Sequence, residues 1–178
     1  PEKAPREAIK SPCPYFEVCG GCQLLNKTYE DSLKYKQNYL HQLLRGFGSI
    51  NPIIGMKEPW SYRNKIHATF HQDKRGVISA GLYEEYSHRL VPIDRCIVQD
   101  ERADRITATV KSLMKSFKMT AYNEETGRGF LRHLLIKVGF KSGEVMVVFV
   151  VTNPIFPGKN NFLKVLLEKH PEIKTVLM

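Results

Sequence analysis

The apolar positions of the chain change period several times, and each change predicts an element. In YRNKIHATFH, Tyr62, Ile66, Ala68 and Phe70 fall on one side, and Arg63, Lys65, His67, Thr69 and His71 on the other. A period of two predicts a half-buried strand. QDKRG then supplies a turn and VISAGLY a returning strand, so the pair reads as a hairpin. A short extended piece at 88–93 leads to Cys96. Apolar runs at about 130–139 and 144–152 flank Lys141-Ser142-Gly143, and a last strand begins near Ile173.

Helical spacing fills the gaps. Thr28, with Asp31 three residues on, can cap a helix whose stripe is Tyr29, Leu33, Leu40, Leu43, Leu44 and Phe47, ending at Gly46-Phe47-Gly48. Residues 100–118 place Ala103, Ile106, Val110, Leu113, Met114 and Phe117 on one face, with Lys115 and Lys118 in the last turn. A third helix runs from about Asn160 to Lys169 and stops before Pro171. Strands joined by tight turns with helices between pairs imply an α+β fold: a largely antiparallel sheet with flanking helices. The expected organisation is a linker or trailing tail at 1–12, a cysteine-rich segment with its helix at 13–48, and a central α+β domain at 49–178.

Composition narrows the partner. The chain carries 27 Lys and Arg against 18 Asp and Glu, a net charge of +9, and this surplus suits a polyanion, nucleic acid before an anionic membrane surface. The longest apolar run, VMVVFVV, is strand-sized, so no membrane partner is expected. The polar opening PEKAPREAIKSP has no signal-like apolar core, and a cytoplasmic protein is the expectation. With Pro1 at one end and the apolar KTVLM at the other, the sequence reads as a piece of a longer protein.

Four cysteines carry the candidate chemistry. Cys13, Cys19 and Cys22 crowd into CPYFEVCGGC, and Cys96 stands alone downstream. Disulfides are rare in a reducing cytosol, so the pattern reads as metal ligation. Zinc suits four thiolates, although zinc ribbons usually bring two tight pairs. Three clustered ligands and one remote are common for a cubane iron–sulfur cluster, and Gly20 and Gly21 allow close backbone approach. Spacing alone leaves both groups open.

CPYFEVCGGCQLLNKTYEDSLKYK, EPWSYRNKIHATF, GLYEEYSHRLVPIDRC and GFLRHLLIKVG together resemble the RNA uracil-5-methyltransferase family, and most closely its bacterial members that modify 23S ribosomal RNA. The resemblance covers about residues 12–178 and implies that Cys13, Cys19, Cys22 and Cys96 ligate a [4Fe–4S] cluster supporting RNA binding. It implies a ribosomal RNA partner, with transfer RNA as the alternative target, and no obligate protein partner. It also makes the basic strand face RNA-facing: Arg63 and Lys65 to phosphates, His67 to a base or sugar, and Arg132 with His133 as a second pair. For Arg132 a buried, paired structural role competes, and for His88 a place beside the cluster.

The resemblance also implies what is missing. The family methylates uracil C5 from S-adenosylmethionine, using a cysteine nucleophile and a glutamate base. Four cysteines given to a cluster leave none to attack, and the donor-binding doubly wound domain is expected to lie in a part of the full-length protein absent here. No catalytic or S-adenosylmethionine-binding residue is therefore expected in this chain, and by itself it should be inactive. A zinc-stabilised RNA-binding module without catalysis is the rival reading.

Overall fold

In a computed structural model, which describes residues 9–178, a six-stranded sheet organises the chain. The elements are α1 (Tyr29–Leu43), β1 (Lys65–Gln72), β2 (Ile78–Tyr83), β3 (Leu90–Pro92), α2 (Glu101–Ser116), β4 (Leu131–Val138), β5 (Val145–Val151), α3 (Lys159–Lys169) and β6 (Ile173–Leu177). The strand order is β3-β2-β1-β4-β5-β6. For the expected linker at 1–12, residues 1–8 lie outside the described residues.

The sheet is mixed, which corrects the largely antiparallel expectation. β2 and β4 flank β1 antiparallel, β3 continues from β2, and β4 pairs antiparallel with β5, but β6 runs parallel to β5. The cause is α3: it carries the chain back along the sheet, so β6 starts at the same end as β5.

One face of the sheet makes the core. Ile66, Ala68 and Phe70 of β1 alternate inward, as do Val145, Val147 and Phe149 of β5, against Ile106, Val110 and Met114 of α2. Phe156 and Phe162 lock the α3 side, with ring centroids 5.0 Å apart and both edge-on to Phe149. At the start of α2, Asp100 accepts from the Arg102 backbone N–H at 3.0 Å, and the Arg102 guanidinium reaches the Gly143 carbonyl oxygen at 3.0 Å. That arginine ties the helix to the β4–β5 turn.

α1 stands apart from this core. Its N-cap is the expected one, Thr28 Oγ1 accepting from the Asp31 N–H at 3.1 Å. Its apolar stripe, however, does not join the core: Leu43 and Leu44 are exposed, and Phe47 is 86% exposed. The 51–56 segment holds the helix instead. Gln37 accepts from the Ile53 N–H at 2.6 Å, and the Tyr29 hydroxyl accepts from the Met56 N–H at 2.6 Å. No helix among the described residues is long and apolar enough to cross a membrane.

Candidate cysteine site and nucleic-acid interface

The cysteine loop is shaped by its own backbone. Tyr15 accepts from the N–H groups of Val18 and Cys19, at 3.1 and 2.7 Å, which coils residues 13–19 into successive turns. The loop then lies against the end of β2: Cys19 bridges Glu84, and the Gly20 N–H donates to the Tyr83 carbonyl oxygen at 3.3 Å. Glycine suits this position, because a Cβ would stand a tight 3.1 Å from the Glu85 backbone.

Cys96 arrives from the other direction. β3 delivers the chain to a turn in which the Cys96 N–H donates to Asp104 Oδ2 at 2.9 Å, fixing the turn to the first turn of α2. Asp104 has its pKa raised, chiefly by burial. The result is convergence: Cys13, Cys19, Cys22 and Cys96 all line one small cavity, with Phe16 and Leu82 among its apolar walls.

All four thiols are free and half-buried. Burial pushes the Cys22 thiol up; Arg63 opposes this, while the other three cysteines add to it. Burial likewise raises Cys96. An electropositive group bound among them would reverse that balance and favour the thiolates. The Gly21 N–H donates to Cys19 Sγ at 3.4 Å, the kind of amide–sulfur contact that stabilises a ligating thiolate. Four thiols are the donor type that a thiolate-ligated centre uses. Among the described residues, however, no three His, Cys, Asp or Glu side chains form a group that could hold a metal ion.

The five residues expected to touch RNA separate into two places. Arg63 is half-buried at the cysteine cavity, where its Nη2 donates to the Gly21 carbonyl oxygen at 3.3 Å. Lys65 and His67 are exposed on β1, on the sheet face opposite the helices, beside half-buried His133 of β4. The His67 and His133 rings meet edge to face at 4.4 Å, and Thr69 Oγ1 lies 3.3 Å from His133 Nδ1. Burial, with His67 and Arg132 nearby, holds His133 down to about 4. His67 is lowered by burial and then by Lys65.

Arg132 is paired but not buried. It stands at a register shift in β4, between Leu131 and His133, and reaches Glu124 at 3.2 Å across the face of Tyr122. His88 is not beside the cysteines: it is exposed, 3.2 Å from Glu124 and edge-on to Tyr83. Tyr62 also departs from expectation. It lies ahead of β1 and is 48% exposed, because Ser61 takes a positive φ of 50° and breaks the strand's phase. Trp60 and Tyr62, absent from the expected contacts, flank that residue at the surface; no periodicity marks a turn-rich segment of this kind.

No protein-family profile matches the chain. Among curated proteins it is 36% identical over 180 residues to an uncharacterized RNA methyltransferase of Halalkalibacterium halodurans, covering 98% of this chain and 39% of the relative. It is 37% identical to one of Enterococcus faecalis, covering 99% of this chain and 40% of the relative. The chain thus spans about two fifths of the length of these relatives. Among solved structures it is similar to a Pyrococcus abyssi tRNA (uracil-54, C5)-methyltransferase in complex with S-adenosyl-L-homocysteine. The TM-score is 0.68 at 26% identity, over 81% of this chain and 34% of that one. By sequence the chain is similar to part of RNA methyltransferases, and by fold to part of a tRNA uracil-5-methyltransferase.

Proposed function

We propose that this chain is the cluster-bearing, RNA-holding region of an S-adenosylmethionine-dependent RNA uracil-5-methyltransferase. The observation that carries this reading is the convergence of four cysteines, from two distant stretches, on one cavity beside a basic surface. Cys13, Cys19, Cys22 and Cys96 would hold a [4Fe–4S] cluster. Three clustered ligands with one remote favour the cluster over zinc, whose ribbons usually bring two tight pairs. When bound, the cluster would supply structural cross-linking, pinning the 13–22 loop to the 94–99 turn. Arg63 braces that joint from the RNA side.

Lys65, His67 and His133 would meet RNA on the open sheet face, with Lys65 at a phosphate and the imidazoles at sugar or base edges. Arg132, already paired with Glu124, would contribute by exchanging that carboxylate for a phosphate. The methyl donor and the cysteine nucleophile belong to the rest of the full-length enzyme, so this chain alone would bind RNA without methylating it.

The target is 23S ribosomal RNA in this reading; the second reading, transfer RNA, is favoured by the substrate of the Pyrococcus abyssi relative. Methyl transfer from labelled donor by the full-length protein, on 23S transcripts and on tRNA transcripts, separates the two. Uridine methylated at C5 in 23S RNA alone supports the first reading, and in tRNA alone the second. Product in neither, with active donor binding, refutes the proposed activity.

A further inference from the structure

Beside the cysteine cavity runs a second, larger depression of about 440 Å³. Cys22 and Arg63 stand on the wall the two share. α1 forms the opposite side, and the 53–62 segment forms the lip. Every charged side chain along it is basic: Lys27, Lys36 and Arg63. Of the three aromatic side chains that line it, Tyr29, Trp60 and Tyr62, the last two remain substantially open to solvent, at 45% and 48%.

The backbone between Trp60 and Tyr62 is specialised. Ser61 adopts φ 50°, a conformation that non-glycine residues seldom take and that has to be held by its surroundings. What holds it is the stretch after Cys96: the Ser61 N–H donates to the Ile97 carbonyl oxygen at 3.0 Å, and the Arg63 N–H to that of Val98 at 2.8 Å. The strained residue aims Trp60 and Tyr62 into the groove, and its anchor is the turn that carries a cysteine of the proposed cluster.

We propose that this groove binds a single-stranded stretch of RNA, with bases stacked on Trp60 and Tyr62 and phosphates met by Lys36 and Arg63. The inference deepens the RNA-binding reading and rests on it. Charge complementarity selects the occupant, since three cations and no carboxylate line the groove. The aromatics select the strandedness: a base can stack on a side chain only when it has left its own duplex stack. Lys27 is buried at the base of the groove, its ammonium 5.7 Å from the Tyr35 ring centroid, and adds positive potential there.

Trp60 is the chain's only tryptophan, so its emission reports on the groove directly. The experiment titrates the cluster-loaded chain with an eight-nucleotide oligouridine and, separately, with a blunt RNA duplex. The expected result is saturable quenching of Trp60 by the single strand and little by the duplex. Stacking of this kind predicts about tenfold weaker binding for Trp60→Ala, while Trp60→Phe retains most of the affinity. Lys36→Glu, on the exposed side of a helix, should weaken binding without unfolding the chain. Equal quenching by duplex and single strand overturns the proposal. So does RNA binding that leaves Trp60 emission and the Lys36→Glu affinity unchanged but weakens with Lys65→Ala; RNA recognition then survives on the sheet face and the groove assignment fails. Absence of any RNA binding overturns both.

Discussion

Arg63 donates from Nη2 to the carbonyl oxygen of Gly21 across 3.3 Å, joining residues 42 positions apart in the chain. A side chain expected from the sequence to bind phosphate is therefore also a brace on the cysteine loop. Its backbone is committed as well, donating to Val98 and accepting from the Asp100 N–H at 3.0 Å. The two roles can be separated. Arg63→Lys keeps the charge but loses the planar fork that reaches the carbonyl. It should retain most of the salt-dependent RNA affinity while losing bound metal faster under chelator challenge. Arg63→Ala should lose both. A chelator half-life for Arg63→Ala equal to that of the wild type would show that the brace carries no weight.

Cys96 is the remote ligand in this account, and its loss should be felt at a distance. Cys96→Ser is expected to release the 13–22 loop and the 94–99 turn together, because the proposed centre is what joins them. Hydrogen exchange should speed up at Cys19 and Gly20, whose amides pair with Tyr15 and Tyr83, and at Ser61, whose amide pairs with Ile97. Faster exchange confined to residues 94–99 would mean that Cys96 does not communicate with the loop.

Gly81 offers a test that leaves every cysteine in place. A Cβ there would collide with the carbonyl oxygen of Val91, on the strand paired with β2. β3 leads directly to the turn that presents Cys96. Gly81→Ala should force the strands apart at a cost of roughly 1–3 kcal/mol, by analogy with overpacked cores. For a chain of this size that corresponds to a melting temperature lower by about 2–10 °C. Metal content should fall with it. Full metal loading at an unchanged melting temperature would contradict the geometry.

The His133 imidazole makes stability depend on pH. Its folded-state pKa is held down to about 4, first by burial and then by neighbouring cations, against an ordinary value of 6.5. Between those values the unfolded chain binds a proton that the folded chain refuses, so stability rises with pH. The contribution is fully present above about 6.5 and is lost as pH falls toward 4. Urea midpoints measured across that window should decline toward acid, and His133→Gln should flatten the decline. His67 is lowered in the same direction and will keep part of the slope.

Much of this arrangement was legible because local pattern and burial agree. The alternation through Ile66, Ala68 and Phe70 and the spacing of Ala103, Ile106 and Val110 both mark real core faces. The cysteines are legible as a set, and all four line one cavity, although they do not form a group that could hold a metal ion. What stayed hidden depends on how elements are placed against one another. The direction of β6 follows from where α3 docks, which no local pattern encodes. The stripe on α1 has helical period, yet only Ser32 of that helix is buried, and the 51–56 segment, not the core, holds it. Extending the strand's period back past its true start at Lys65 places Tyr62 on the inner side, but Tyr62 lies outside the strand, next to the kink at positive-φ Ser61. The same kink creates the pairing of Trp60 with Tyr62, so the groove became visible only in three dimensions.

The claim on which the rest depends is that the four cysteines hold one iron–sulfur cluster, and composition analysis tests it directly. The chain should be purified without oxygen, its iron, acid-labile sulfide and zinc measured, and its visible spectrum recorded. The account predicts about four irons and four sulfides per chain, with the broad absorption of a cubane cluster. Each should fall sharply in Cys22→Ser. Stoichiometric zinc without sulfide, in protein that also fails to take up iron and sulfide on reconstitution, would contradict it.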